Sequence, residues 1–162
     1  MKQLSKSLLL MLTFVVSVIA VIFNPESLQA ATSESVAKTP PPPLEMSIEG
    51  YFDPSYKYLD QGDSTIIDKG NRTAQINVTT IAKQTVASIG ATIYLEKWTG
   101  TAWITVSTTP ASISENNTSY FDGYAIMSTA SGYYYRARTL HWVSHNGVYE
   151  QGERVTNAIL AK

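Results

Sequence analysis

The residues able to do chemistry are few and poorly placed for it. His141 and His145 are the only histidines, and they lie four residues apart. On a β-strand that spacing puts both on one face, about 13 Å apart, too far to share a metal without a sharp bend. The chain has no cysteine, which excludes a thiol nucleophile, a Cys-ligated metal and a disulfide. It carries no Gly-x-Ser-x-Gly elbow, no phosphate-binding Walker loop and no His-Glu-x-x-His motif. A Ser-His-Asp triad can be assembled from distant positions, but nothing nominates one. Paired carboxylates for glycoside hydrolysis need a cleft between them, for which a domain of about 115 residues has little room. Asp60, Asp63 and Asp68, with Gly62 and Gly70 nearby, read as solvated loop acids. Their spacing fits no EF-hand and leaves calcium an open question. The chain is therefore expected to be non-catalytic, with no catalytic residue, no metal ligand and no cofactor.

The side chains best suited to binding are aromatic. Trp98, Trp103 and Trp142, joined by Tyr94, are the candidate ligand-binding residues. Aromatic faces on a sheet stack on sugars or anchor a protein partner. The alternative is that Trp103 and at least one other tryptophan belong to the core. Two or more coplanar, solvent-facing rings would favour the ligand.

These residues must be positioned by β-structure. Ten Tyr, three Trp and abundant Thr, Ser and Val favour strands, and no 3.6-residue amphipathic period of useful length follows residue 44. The clearest element is the C-terminal hairpin. Two runs rich in β-branched and aromatic residues flank Asn146-Gly147, the pair that a type I′ turn demands. That turn pairs His145 with Val148 and puts Arg138 beside Val155 and near Glu153. It also sets Tyr133, Tyr135, Ala137, Thr139, His141 and Val143 on one face. Arg136, Arg138, Leu140 and Trp142 share the other. The tyrosine face is expected inward, because two arginines are costly to bury without partners.

Upstream, Ala74, Ile76 and Val78 alternate with polar residues as a half-buried strand. A further strand runs over 86–96, with Gly90 as a bulge or close-approach point. Residues 91–107 read as a hairpin turning at or beside Gly100. A tight turn there would align Ile93 and Leu95 with Val106 and Ile104, whereas a four-residue loop would pair Trp98 with Trp103. Residues 113–117 read as a loop or short edge strand, and 119–128 as another strand. Six to eight short strands with turns between them indicate an all-β fold, an antiparallel β-sandwich of immunoglobulin-like architecture without a disulfide.

Residues 1–30 have the layout of a secretory signal peptide: Lys2 and Lys6, an apolar-biased run of 16 residues from Leu8 to Phe23, and Leu28-Gln29-Ala30 before a cleavage site. The run is short for a membrane span, although an uncleaved anchor stays open. Residues 31–47, with four prolines at 40–43, read as a disordered, proline-rich linker, and 48–162 as the β-sandwich domain. The product is expected to be secreted and extracellular, with no membrane association after cleavage. A net charge of −1 lacks the basic footprint of a nucleic-acid binder.

The series Ile93-Tyr-Leu-Glu-Lys-Trp98, Gly100, Trp103-Ile-Thr-Val106, Gly132-Tyr-Tyr-Tyr-Arg-Ala-Arg138, His141 and Gly147-Val-Tyr-Glu150 resembles an uncharacterised family of small exported proteins of Gram-positive bacteria, over about residues 60–162. The resemblance implies secretion and a sandwich, and it implies no reaction. The expected function is a secreted binding module for an extracellular protein or polysaccharide. The alternatives are an envelope-associated structural protein assembling through edge strands and, further off, a small secreted hydrolase.

Overall fold

The computed structural model describes residues 36–44, 50–106 and 108–162. The expected signal peptide lies outside the described residues. Eight strands are present: β1 (Gly50–Tyr51), β2 (Leu59–Gly70), β3 (Thr73–Trp98), β4 (Trp103–Thr105), β5 (Ala111–Ser128), β6 (Tyr134–His145), β7 (Val148–Val155) and β8 (Ile159–Leu160). All pair antiparallel in one sheet, curled into a half-barrel. Among the described residues there is no helix. The expected all-β, antiparallel class is thus found, but hydrogen bonding runs unbroken through one sheet rather than two.

The spine is β3. Sequence patterning suggests two strands over 74–81 and 86–96; they are parts of one strand of 26 residues. Along one edge β5 follows it from Thr73↔Ser128 to Ile93↔Ala111, and β4 continues the same edge to Trp98↔Trp103. Along the other edge β2 takes the first half and β6 the second. At about 3.3 Å per residue a straight strand of this length would span about 85 Å, against about 35 Å across a compact domain of this size. It must therefore bend. The register shift between Ile81 and Val86 is where it does so, since extra residues on one strand sharpen bend and twist. Buried apolar side chains of β3 are even-numbered through Val86 and odd-numbered from Ile89 to Leu95. The bend folds the β2 wing over the β6–β7 wing. Leu59, Ile76, Val78, Ile89, Ile93, Leu95 and Val143 are fully buried between them.

Residues 50–59 seal the mouth of this fold, held by two charges of opposite sign on the inward face of β7. The Arg154 guanidinium donates to the carbonyls of Gly50 (2.8 Å), Tyr51 (3.0 Å) and Gly62 (3.1 Å). The Glu150 carboxylate accepts the amides of Lys57 (2.6 Å), Tyr58 (2.8 Å) and Leu59 (2.8 Å). Partial burial pushes the Glu150 carboxyl up, but the three amides outweigh it and hold the group below its ordinary range. Between the two charges Phe52 packs where Gly62 and Gly152 leave space; a Cβ on either glycine would run into its ring.

Turn chemistry follows local rules. Asn146 (φ 49°) and Gly147 (φ 74°) form the expected tight reversal, with His145↔Val148 and Arg138↔Val155 in register. The hairpin near Gly100 takes the four-residue loop, pairing Trp98 with Trp103. The acids expected in a loop, Asp60, Asp63 and Asp68, instead lie along β2. A second tight turn, Asn71 (φ 51°) and Arg72 (φ 59°), joins β2 to β3. Residues 113–117 belong to β5.

Arg72 holds a left-handed conformation that costs an L side chain about 1 kcal/mol. Arg72→Gly is expected to raise stability by about 0.5–1 kcal/mol and Gly147→Ala to lower it by about 1 kcal/mol, read as shifts of the urea midpoint at constant m value.

Candidate functional site

The bend of β3 brings β2, β3 and β6 together around His141, which is fully buried. Its Nδ1 lies 2.8 Å from Thr80 Oγ1, and its Nε2 lies 2.9 Å from Ser64 Oγ and 3.1 Å from Thr139 Oγ1. Thr80 donates onward to Gly90 O and Thr139 to Arg154 O. Ser64 Oγ also lies 2.6 Å from Thr139 Oγ1, so the imidazole and the three hydroxyls form one connected hydrogen-bond network in which each has a partner. Desolvation, aided by the nearby Arg154 charge, pushes the His141 pKa down to about 4. Phe52 lies over the imidazole, 5.9 Å between ring centroids.

The Ser64–His141 pair has the spacing of a nucleophile and its base, but the third partner is the neutral hydroxyl of Thr80 and the pair is covered by Phe52. The arrangement bolts the two wings together with polar side chains. His145 makes a different set of contacts, in which its Nδ1 accepts the Ala87 amide (3.1 Å) and Tyr58 meets its ring edge-on at 4.9 Å.

The four aromatic candidates divide into two groups. Trp98 and Trp103 face each other across the hairpin end, 5.3 Å apart and inclined by 52°. They are not a coplanar exposed pair, and Trp98 is buried at 7% exposure. The cover comes from the proline-rich stretch. Its described part, residues 36–44, lies against the sheet: Trp98 Nε1 donates to Pro40 O (3.1 Å), and Lys38 N donates to Gly132 O (2.7 Å). Consecutive prolines pre-set an extended rod, so little chain entropy opposes docking.

Trp142 and Tyr94 lie further along the outer face of β3–β6–β7. Gly90 pairs with Trp142 and Tyr94 with Arg138, which places Trp142 eight positions, or about 26 Å, from Trp98 along β3. Gly90 is a close-approach point, since a Cβ there would run into the Ile113 carbonyl. Trp142 stacks with Tyr149 at 6.1 Å and 26°. Tyr149 is 58% exposed; burial, then the neighbouring Tyr94, pushes its phenol up. The Arg138 guanidinium lies 4.3 Å from the centroid of the Tyr94 ring and reaches Glu96 and Glu153, each at 3.2 Å. Glu96 also pairs with Arg136 at 2.8 Å, so both arginines of the outward face are partnered there. Sequence reasoning passed over Tyr149. The hairpin register contained it: with Trp142 opposite Gln151, position 149 is the diagonal neighbour.

Among the described residues, no group of three His, Asp or Glu side chains is arranged to hold a metal. No family model, curated protein or solved structure matches this chain.

The depressed His141 pKa has a stability consequence. The unfolded chain, with an ordinary histidine near 6.5, binds a proton that the folded chain refuses. Stability is therefore complete above about pH 6.5 and falls as pH drops towards 4. Between pH 6.5 and 5, above the range of most carboxylates, the loss is expected to be about 2 kcal/mol. Urea unfolding at both pH values measures it, and His141→Gln should flatten the slope in that window.

Proposed function

We propose that this chain is a secreted, non-catalytic binding module, one of the small exported proteins of Gram-positive bacteria that its sequence resembles, and that it holds an extracellular polysaccharide on the outer face of β3–β6–β7. We read its curled sheet as an immunoglobulin-like β-sandwich plan whose two layers share β3 and β5, the bend of β3 serving as the corner. The observation that carries the binding reading is the stacked Trp142–Tyr149 pair beside Tyr94, rimmed by Arg138, Gln151 and Glu153. A flat aromatic surface accepts the C–H face of a sugar ring, and the amide, carboxylate and guanidinium around it suit the hydroxyls. The sealed position of His141 favours a binding role over a hydrolytic one, because substrate has no access to the Ser64–His141 pair.

Pull-down of the secreted protein on purified wall polysaccharides tests this. The wild type is expected to be retained, and Trp142→Ala and Tyr149→Ala each to weaken binding about tenfold, the loss of one stacking partner, with the unfolding midpoint little changed. Retention of Trp142→Ala equal to wild type would remove the face from consideration.

A second reading, envelope assembly through an edge strand, is favoured by β5. Among the described strands it pairs with β3 alone. Its 18 residues contain no Lys, Arg or Pro, the residues that usually blunt such an edge. Asn117, at φ 56°, is its one positive-φ interruption by a non-glycine residue. This reading predicts concentration-dependent oligomers in sedimentation velocity; a monomer throughout the micromolar range would end it.

A further inference from the structure

The proline-rich strap sits in a seat whose chemistry is that of a polyproline reader. An extended proline run has no internal hydrogen bonds, so its carbonyls are free acceptors, and the surfaces that bind such runs pair aromatic walls with a donor aimed at a carbonyl. Trp98 supplies that donor, its indole N–H reaching Pro40 O at 3.1 Å. Trp103 supplies a wall beside it. The Lys38–Gly132 hydrogen bond fixes where the segment enters, and the Lys38 ammonium lies 4.9 Å from the Tyr133 ring centroid. We propose that this groove is a polyproline-recognition site, occupied in cis by residues 38–43, that receives a proline-rich extended segment of another protein when the strap lifts.

The fit of the resident strap supports its being displaceable. Beyond Pro40 a pocket of about 350 Å³ remains between Pro41–Leu44 and a wall that includes Trp103, Tyr134 and Arg136. One side-chain atom of the seat, Trp103 Nε1, and one of the strap, Thr39 Oγ1, are shut off from solvent and have no hydrogen-bond partner among the described residues. Buried groups left so are costly. Lifting the strap bares the Trp98 indole N–H, which the carbonyl of an incoming segment takes up in place of Pro40 O. The strap is covalently attached, so its effective concentration at the groove is of millimolar order. It therefore competes with any incoming segment and acts as a guard. This site is separate from the outer face around Trp142 and stands or falls independently of it.

The test uses the full chain in two forms, wild type and a variant carrying Pro40→Gly, Pro41→Gly, Pro42→Gly and Pro43→Gly, which removes the rod. The probe is a synthetic peptide with the sequence of residues 36–44, followed by tryptophan emission. The four-glycine variant is expected to bind it, and the wild type about tenfold more weakly because its own strap competes. Adding Trp98→Phe to the variant keeps an apolar ring, removes the donor, and should weaken binding about fivefold. Circular dichroism confirms the fold of each form. A folded four-glycine variant that ignores the peptide overturns the proposal, as does a Trp98→Phe form that binds equally well. If the four-glycine variant does not fold, the Trp98 indole N–H resonance of the wild type under millimolar peptide decides: a shift supports the site, and its absence overturns it. A wild-type dimer that the four-glycine change dissolves would overturn the foreign segment in favour of the strap of a second copy.

Discussion

A strand of 26 residues cannot run straight through a domain of this size, and the rest of the structure follows from how β3 bends. One edge of β3 is bordered by the single return path β4–β5. The other edge is divided, with β2 on the first half and β6 on the second. Because β2 and β6 share an edge but not a stretch of it, bending at residues 82–86 turns their inner faces towards each other. The core, the buried histidine and the position of the outer aromatic face all result from that turn.

Two facing wings still need a closure, and this protein has no cysteine to staple it. It uses polar groups instead. Arg154 gathers carbonyls, Glu150 gathers amides, and Ser64, Thr80, Thr139 and His141 saturate one another across the interior. Each of these groups would be expensive to bury alone; together they have definite partners and so select a single register of the wings. The hydrophobic side chains supply most of the driving force. The polar network supplies the geometry, which burial alone does not specify.

The same division separates interior from surface. Inward positions of β6 alternate strictly with an outward row holding Arg136, Arg138, Leu140 and Trp142, and the two arginines are held over aromatic rings by Glu96. Aromatic side chains on that face are thereby fixed in orientation without being buried. Fixed, partly exposed rings bind with little loss of side-chain entropy. At the far end of the row Trp98 is covered by the chain's own prolines, so one surface carries an open aromatic patch and a covered one.

Much of this was written locally. Asn146-Gly147 specified its turn, and the turn specified the register of the last hairpin, because positive φ at two adjacent positions is a property of those residues. The two-residue alternation of β6 specified its buried face, and Gly90 marked a close approach of two backbones. The strand β2 was hidden because its inward positions include Gly62 and Ser64, which read as loop residues until Phe52, Thr139 and His141 are seen to fill and satisfy them. Asn71-Arg72 resembled no tight turn because arginine has no preference for positive φ; the pairing on either side holds it there. The union of two apparent strands into β3, the four-residue loop that joins Trp98 to Trp103, and the docking of the prolines each depended on partners beyond the local stretch. The sequence by itself determined turns, periodicity and the all-β class, since these arise from contacts between near neighbours. The tertiary structure alone decided which edges meet and which aromatic rings stay open, since those depend on where distant segments come to rest.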